Sequence, residues 1–453
     1  MFERVSCLLR RPRGRALLAT ALLALALAAA PLAAQQAGGG GVGGPAFGSD
    51  SVPLNRTIPA KEEIQNEMTR SKLRFGPARV LPSFNVWNAG YDSNVFGTNE
   101  DPTGDWTLSV NAGATFLVPF GSKFVLRADA FPQYTWYKEL SGRDEFGGRY
   151  DGSIYGFFNR MTVELTGGYF QQYQQYSTEL DTYVFQNSLR TGAKVDVDLT
   201  NRLSLFGSGG YQDVTYRQIE GPPGQEIRVP LNDRADWGGR GGLRYQILSD
   251  WNVGIAGEGT WADFTTTPEL RNNTSTAALA SVEYNRTRRL FINLIGGWRE
   301  GRGVDSNFFP DYSTGVGSFF VSFFPISWLE LQVAGHRNVS YSVTATNPYY
   351  FENRIGGKIN IQLGPRILLS GYGQTGPNNY PRAEPVVIDG EVQVLKRRDE
   401  SEQYGGGFSI IAYRPLVLTA RATHTAIDSN IPTAGRSYTR YTVMLGFSGT
   451  FQR

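Results

Sequence analysis

The sequence predicts one large antiparallel β-barrel that crosses a membrane with about eighteen strands, with 16 or 20 as alternatives. Three observations predict it: apolar residues recur with a period of two from residue 79 onward, short and long connectors alternate, and aromatic residues gather in two belts. The period is that of strands with one apolar face. A disordered chain would be poor in aromatic residues, which make up 13% here. No segment after residue 34 is apolar for long enough to form a membrane-spanning helix.

Residues 1–34 have the features of a secretory signal peptide. Five arginines precede an apolar run over 16–30, and small residues follow it. We expect cleavage after Ala34; the alternative, a membrane anchor, would need a longer apolar run. Removing five arginines and one glutamate from the 44 basic and 41 acidic residues leaves 39 and 40, a net charge of −1. The apparent basicity therefore lies in the leader, and no nucleic-acid partner is implied.

The chain has a single cysteine, Cys7, and it lies in the leader. The mature chain is therefore expected to lack disulfides, thiolate metal sites and cysteine nucleophiles. We predict no cofactor and no metal. A closed barrel accounts for stability without disulfides, because every backbone polar group in its wall has a partner.

Residues 35–78 are predicted to be a flexible periplasmic segment with one short helix. The first part is rich in Gly, Ala and Gln, which is the composition of a flexible tether. A helix is expected between Pro59 and Lys72, with Ile64 and Met68 four residues apart on one face. Such a helix either enters the lumen or remains a linker in the periplasm, and the sequence favours the linker.

The barrel itself is predicted over 79–453. In its clearest strand, the last, Val443 and Leu445 alternate with Thr442 and Met444. Eight short connectors are expected near residues 119–122, 159–160, 200–202, 249–250, 285–287, 325–327, 364–366 and 414–415. Nine longer connectors lie between them, including 93–103, 174–184, 218–231, 299–313 and 376–402. Short periplasmic turns and long extracellular loops are typical of bacterial outer-membrane barrels, so nine hairpins give eighteen strands.

The aromatic residues favour a lipid-facing surface over a water-soluble sandwich. One set, including Phe120, Trp251 and Trp328, lies beside the short connectors, and a second, including Tyr137 and Trp261, lies near the long ones. Aromatic rings with a polar edge favour the lipid headgroup region, so two belts are expected to flank an apolar band. We therefore expect a location in the bacterial outer membrane, in contact with outer-membrane lipid and lipopolysaccharide.

Alternation assigns one set of charged side chains to the barrel interior. At eighteen strands this interior is too wide for the wall's own side chains to fill, so an aqueous channel is expected. Both charge signs occur, which predicts a polar wall without dominant selectivity, in which charges also pair across strands. The lumen-lining candidates are Arg127, Asp129, Glu164, Arg190, Lys194, Asp196, Asp236, Arg240, Arg244, Glu258, Glu330, Arg354, Lys358 and Arg421.

Three Asp-Ser-Asn elements lie at the predicted extracellular rim. The rim candidates are Asp92, Asn94, Asp305, Asn307, Asp428 and Asn430. Asp and Asn side chains bind backbone N–H groups and begin turns, which is the plainer interpretation. A rim that binds calcium or sugar is the alternative, because clustered carboxylate and amide oxygens suit both ligands.

A search for catalytic residues points away from an enzyme. The mature chain has two histidines, His336 and His424. His336, Asn338 and Ser340 superficially resemble an outer-membrane lipase site. That chemistry needs the serine beside the histidine on a neighbouring strand, whereas here both residues lie on one strand, about 13 Å apart. No catalytic residue is therefore predicted.

Two segments resemble those of known outer-membrane proteins. Residues 90–96 (Gly-Tyr-Asp-Ser-Asn-Val-Phe) close the first strand after residues 73–82 (Leu-Arg-Phe-Gly-Pro-Ala-Arg-Val-Leu-Pro). This opening resembles that of outer-membrane β-barrel porins related to the exopolysaccharide-associated barrel family, from about Leu73 to the C-terminus. The last strand resembles the signal read by the barrel-assembly machinery, which is thus an expected partner. Here, however, the terminal aromatic Phe451 is followed by Gln452 and Arg453.

The sequence thus predicts a passive pore for small hydrophilic solutes. The resemblance also implies an alternative, a conduit for exopolysaccharide export, with polysaccharide as the partner. Inward aromatic residues would then form a track for sugar rings, and Phe206 and Tyr372 are the candidates. A third hypothesis is a non-conducting structural or surface-binding barrel. The connector 376–402 either constricts the lumen or projects outward as a contact surface.

Overall fold

The structure is a computed structural model that describes residues 60–450. Within that range it leaves out residues 100, 176, 178, 180–181, 218, 221–225, 228–231, 287–288, 345, 389–390, 414–415 and 432–436. The predicted signal peptide, its cleavage site, the tether up to residue 59 and Phe451 lie outside the described residues. Within the described part, no helix is both long and apolar enough to span a membrane.

Eighteen long antiparallel strands form one closed barrel, which confirms the predicted fold and strand number. In chain order the strands are β1 (Leu73–Phe75), β2 (Ala78–Asp92), β3 (Asp105–Phe120), β4 (Phe124–Tyr137), β5 (Glu145–Phe157), β6 (Met161–Gln175), β7 (Tyr183–Asp198), β8 (Leu203–Tyr216), β9 (Ile219–Glu220), β10 (Glu226–Ile227), β11 (Arg234–Leu248), β12 (Trp251–Phe264), β13 (Asn273–Arg286), β14 (Leu290–Gly303), β15 (Tyr312–Ile326), β16 (Leu329–Tyr341), β17 (Tyr349–Leu363), β18 (Ile367–Ile388), β19 (Glu391–Tyr413), β20 (Leu416–Ser429) and β21 (Tyr438–Thr450). All but the short β1, β9 and β10 are barrel strands. Each barrel strand pairs with the next, and β2 pairs with β21 to close the ring.

The first barrel strand carries a bulge at the closing seam. Its register against β21 shifts between Val86 and Ala89, and its register against β3 shifts between Trp87 and Gly90. Asn88 lies in this stretch with a φ of +53°, a left-handed conformation that Asn tolerates better than most residues. The bulge bends β2 while both of its neighbours remain paired.

The connectors at the two ends of the barrel differ in length. At one end, two to four residues join the strands, at 121–123, 158–160, 199–202, 249–250, 287–289, 327–328, 364–366 and 414–415. At the other end lie the longer connectors 93–104, 138–144, 176–182, 217–233, 265–272, 304–311, 342–348 and 430–437. Gly121 and Gly364 take φ values of +63° and +62° in two of the short turns, which glycine adopts without a steric penalty.

The predicted long connector 376–402 is almost entirely paired strand. β18 and β19 continue to Ile388 and Glu391, so only two residues join them. The prolines and charges of this stretch suggested a loop. Antiparallel pairing nevertheless resumes after an interruption between Asn379 and Ala383. The two strands therefore form a hairpin that is longer than any other in the barrel.

The two faces of the wall differ in chemistry. Cross-strand register places a ring of exposed apolar side chains on the outer face. The ring includes Phe116, Leu126, Ile154, Leu165, Leu189, Leu205, Leu243, Ile255, Leu294, Leu331, Ile359, Leu369, Phe408, Leu418 and Leu445. A continuous exposed apolar band of this kind is what a lipid-facing barrel surface requires.

Two α-helices accompany the sheet, α1 (Ala60–Arg70) and α2 (Pro268–Arg271). Helix α1 is joined to the barrel through Ser71, which is buried and whose hydroxyl lies 3.0 Å from the carbonyl oxygen of Leu73 and 2.9 Å from that of Val80. β1 then pairs with the start of β2.

The outer band predicts the effect of a charge placed on it. We expect Ile255→Arg to lower the free energy of unfolding from lipid by about 2–4 kcal/mol, because the guanidinium would lie in hydrocarbon. Asn293→Arg is the matched control: this residue faces the lumen and lies opposite Glu283 on β13. Urea titration of both variants in lipid vesicles measures the difference, and an equal loss in the two would contradict the assignment of faces.

Candidate permeation pathway through the barrel

All fourteen lumen-lining candidates share the face of the wall opposite the apolar ring. Residues directly paired across antiparallel strands point to the same side, and register therefore links the candidates around the barrel. Glu164 pairs with Lys194, for example, and Arg240 pairs with Glu258. The structure thus brings the predicted polar residues together on one inner surface.

Many of these inner charges are paired with one another. The Arg127 guanidinium lies 2.9 Å from Asp129, and Arg244 forms an ion pair with Asp196. Other candidates pair with residues that the sequence did not single out, such as Arg190 with Asp151 at 3.3 Å. The inner wall therefore presents mixed pairs of charges and has no dominant sign.

A buried network of three charges lies on β11, β12 and β14. The Nε atom of Arg240 donates to Glu258 at 2.8 Å, and Arg299 donates to the other carboxylate oxygen at 2.5 Å. All three side chains are less than 10% exposed. Arg299 also donates to the Asn338 side chain at 3.1 Å. Sequence reasoning missed Arg299 because it placed residue 299 in the connector 299–313, whereas β14 extends to Gly303.

The residues that resembled a lipase site do not form one. His336 and Ser340 both face inward on β16, and the Glu352 carboxylate lies between them. The Ser340 hydroxyl donates to Glu352 at 2.9 Å, and the His336 Nε2 atom lies 3.4 Å from the same carboxylate. Because the serine donates to an acid and not to the histidine, this arrangement is not a nucleophile with its base.

The two inward aromatic candidates lie far apart. Phe206 on β8 and Tyr372 on β18 are separated by seven strands. Arg244 lies over the Phe206 ring at 4.7 Å, and the Tyr372 hydroxyl lies 2.9 Å from the Thr423 hydroxyl. Each ring therefore contacts its own part of the wall, and the two do not form a continuous track.

A connector from one side of the barrel reaches the opposite wall at the long-connector end. Glu179, in the connector 176–182, accepts hydrogen bonds from the Ser342 hydroxyl at 2.9 Å and the Val343 amide at 2.8 Å. It also forms an ion pair with Arg397 of β19. Between connectors 176–182 and 342–348 lie eight strands one way around the ring and ten the other way. Glu179 thus ties together nearly opposite parts of the barrel.

The base of the long β18–β19 hairpin holds the partner of Glu179. Arg397 also pairs with Asp399 at 2.6 Å, and its guanidinium lies 4.3 Å from the centre of the Tyr380 ring. The Tyr380 hydroxyl donates to Asp399 at 3.0 Å. All four side chains are less than 5% exposed. This group is a buried contact held by ion pairs and a hydrogen bond. Together with Ser342 and Val343 it is called the constriction cluster below.

The end of the β16–β17 hairpin also bends over the pathway. Pairing between β15 and β16 reaches only Gly317 and Arg337. Beyond that point, Tyr341 packs against Phe264 of β12 with ring centres 5.1 Å apart, and its hydroxyl donates to Asn273 of β13 at 3.1 Å. The hairpin end therefore narrows the same mouth as Glu179.

The first two rim elements are occupied by bonds within the chain. Asp92 forms a buried ion pair with Arg440 and accepts a hydrogen bond from the Asn94 amide at 3.0 Å. Asp305 accepts a hydrogen bond from the Asn307 amide at 2.9 Å. Both arrangements are the turn geometry that Asp favours.

The third rim element is bonded in a similar way. Asp428 accepts a hydrogen bond from the Ser437 hydroxyl at 3.1 Å, and Asn430 accepts one from the Arg398 amide at 2.8 Å. Among the residues that the structure describes, no group of three or more His, Cys, Asp or Glu side chains is placed to hold a metal ion. The rim oxygens thus take part in turns and strand contacts.

Helix α1 lies against the inner wall at the short-connector end, whereas the sequence favoured a periplasmic linker. Ala60 and Ile64 pack on inward-facing apolar residues of β2 to β5, namely Leu81, Leu117, Val125 and Tyr155. The Glu67 carboxylate lies 3.1 Å from the Arg127 guanidinium. Burial raises the pKa of the Glu67 carboxyl, and the Arg127 guanidinium offsets part of that rise.

No protein-family model and no curated protein matches this sequence. Solved structures that resemble the barrel include Pseudomonas aeruginosa OccK2 (OpdF), with 10% identity and a TM-score of 0.49, covering 83% of this chain and 98% of that one. P. aeruginosa OpdK with vanillate has 9% identity and a TM-score of 0.49, covering 82% and 99%. Acinetobacter baumannii OccAB3 has 11% identity and a TM-score of 0.47, covering 83% and 100%.

The buried charge network predicts a large effect of removing its single acid. We expect Glu258→Ala to lower the free energy of unfolding by about 3–5 kcal/mol, because Arg240 and Arg299 would lose their shared partner. As a control, Arg398→Ala removes an ion pair with Glu400 whose members are 56% and 45% exposed. That change is expected to have little effect. Urea titration of the folded barrel compares the two, and a small loss for Glu258→Ala would show that water screens the network.

Proposed function

We propose that this protein is an outer-membrane channel for the passive diffusion of small hydrophilic solutes. The observation that carries the proposal is a closed eighteen-strand barrel with an apolar outer ring and a polar inner face. Barrels of this size enclose an aqueous lumen, since wall side chains cannot fill it. The apolar ring calls for lipid outside, and the unequal connectors are typical of barrels in the bacterial outer membrane.

The paired charges of the inner wall support weak selectivity. A solute that enters the lumen meets hydrogen-bonding groups and alternating charges, as in the Arg127–Asp129 and Arg240–Glu258 pairs. Such a surface replaces part of the solute's hydration without binding it strongly, so diffusion through the lumen stays fast. Neither cations nor anions pass a long part of the wall that carries only charges of the same sign as their own.

The constriction cluster supports a size limit at the long-connector end. Glu179, Ser342 and Arg397 come from three separate parts of the ring and are all almost fully buried. Their contact narrows the opening of the lumen at the long-connector end. The outer face would contact lipid and lipopolysaccharide, and the last strand would be read by the assembly machinery during insertion.

Single-channel recording in a planar bilayer with a salt gradient tests the proposal. We expect stable conductance steps with a reversal potential close to zero, because charges of both signs line the wall. A protein that is folded by circular dichroism but gives no conductance, with and without the variants below, would contradict the pore.

Opening the constriction cluster is expected to increase conductance. Glu179→Lys places a cation beside Arg397 and removes the acceptor for Ser342. Arg397 keeps Asp399 as a partner, but the added lysine replaces an attraction across the mouth by a repulsion between two buried cations. Breaking a buried ion pair costs about 3–5 kcal/mol, and about 1.4 kcal/mol is tenfold in an equilibrium. The open-to-closed ratio of this mouth should therefore rise more than tenfold.

Glu391→Lys is the matched control for that variant. It makes the same change of charge at the exposed tip of the β18–β19 hairpin, away from the constriction cluster. We expect the control to conduct like the unmodified protein. If Glu179→Lys also conducted like the unmodified protein, the constriction cluster would not limit permeation.

A further inference from the structure

The inner wall has an apolar patch at the short-connector end. Leu81, Leu117, Val125 and Tyr155, called the seat below, lie on β2 to β5 and are each less than 10% exposed. Other parts of the pathway are lined with charged pairs such as Arg244–Asp196. An apolar patch in a water-filled lumen is unfavourable unless something covers it.

Helix α1 covers the seat with a matching apolar stripe. Ala60, Ile64 and Met68 recur every four residues and therefore lie on one face of the helix. Ala60 and Ile64 are 4% and 2% exposed, and Met68 packs against the same cluster. The opposite face carries the exposed polar residues Lys61, Glu62, Gln65, Asn66 and Thr69. The helix thus exposes its polar face to water and buries its apolar face against the seat.

The helix takes up a substantial part of the pathway. Strands spaced about 4.8 Å apart and tilted by about 40° give an eighteen-strand ring about 36 Å across between backbone walls. A helix with its side chains is about 10–12 Å wide. When docked, helix α1 therefore fills roughly a third of the width near the short-connector mouth.

The attachment of the helix is suited to reversible docking. An isolated helix of 11 residues is only marginally stable in water, so its structure depends on the seat. Its polar links to the seat include the ion pair of Glu67 with Arg127, whose side chains are 24% and 22% exposed. The second Glu67 carboxylate oxygen is buried and has no hydrogen-bond partner among the residues that the structure describes. Ser71 fixes the end of the helix to β2 through its hydrogen bond to the Val80 carbonyl, so this end would stay attached when the rest of the helix leaves the seat.

We propose that helix α1 is a movable plug, seated on the inner wall, whose release widens the pathway at the short-connector end. This inference rests on the proposed channel function and adds a second point of control. The plug is a segment of the chain itself. It lies at the opposite end of the barrel from the constriction cluster, so the two mouths can open separately.

Cysteine labelling in the seat tests the proposal without relying on conductance. With Cys7 replaced by serine the chain has no other cysteine, so Val125→Cys adds a single thiol under the helix. In the parent protein a water-soluble thiol reagent should react slowly, because Val125 is 7% exposed. Adding Glu67→Lys places a cation against Arg127, and we expect labelling to become about tenfold faster, equivalent to ~1.4 kcal/mol.

Reversing the charge of both members of the Glu67–Arg127 ion pair tests whether this pair holds the helix in place. In the triple variant Glu67→Lys, Arg127→Glu and Asp129→Asn the ion pair is restored with opposite polarity, and Asp129→Asn removes the repulsion between the new carboxylate and Asp129. Labelling of Val125→Cys should slow again. Ile64→Lys is a second way to release the helix, since it puts a charge on the buried apolar stripe. Conductance should rise in both releasing variants and fall back in the rescued one.

Val316→Cys is the control for general loosening of the barrel. This residue is 9% exposed in a different inner cluster, with Phe206 and Leu279. Its labelling should not change with Glu67→Lys. Equal acceleration at both cysteines, or none at Val125→Cys in either releasing variant, would overturn the plug. Absence of conductance in every variant would instead overturn the channel function.

Discussion

The structure depends on one constraint: every backbone N–H and C=O group in a lipid environment must find a partner within the protein. The pairing of β2 with β21 meets it, because it removes the two edges that an open sheet would expose. The other features follow from closure. The strand number is even, the connectors fall into two sets, and successive residues point alternately to lipid and lumen. The bulge at Asn88 adapts the first strand to its two neighbours without breaking the ring.

Local signals in the sequence were sufficient to predict the fold. A period of two is visible within one strand, and a tight turn such as 364–366 is visible within a few residues. Counting the alternating short and long connectors gives eighteen strands. The position of Lys194 or Glu258 along its strand predicts that its side chain faces the lumen, and cross-strand partners share that face. Arg299 obeys the same parity, but the sequence predicted it in the connector 299–313 and not in β14, which ends at Gly303. The seven-residue resemblance to exopolysaccharide-associated porins remains an expectation from sequence.

Contacts across the lumen could not be predicted in this way. Glu179 meets Ser342 and Arg397, which lie 163 and 218 residues away along the chain. Nothing local in the connector 176–182, Tyr-Ser-Thr-Glu-Leu-Asp-Thr, specifies such a partner. The prediction of a long loop over residues 376–402 was wrong for a related reason. Their prolines and charges suggested a loop, but antiparallel pairing between β18 and β19 outweighs this local preference. The apolar stripe of helix α1 was visible in the sequence, but its seat is assembled from four strands.

The closing seam has a consequence for how the chain is made and assembled. The two strands that meet there are the first and the last of the barrel, so their pairing spans the whole ring in sequence. Closure therefore pays the largest loop entropy of any strand pairing, and it waits until the final strand is available. Until then the incomplete sheet has two free edges and an apolar outer face, which are features of aggregation-prone intermediates. A chain truncated before β21 could not form the β2–β21 pairing, and both edges of its sheet would remain exposed.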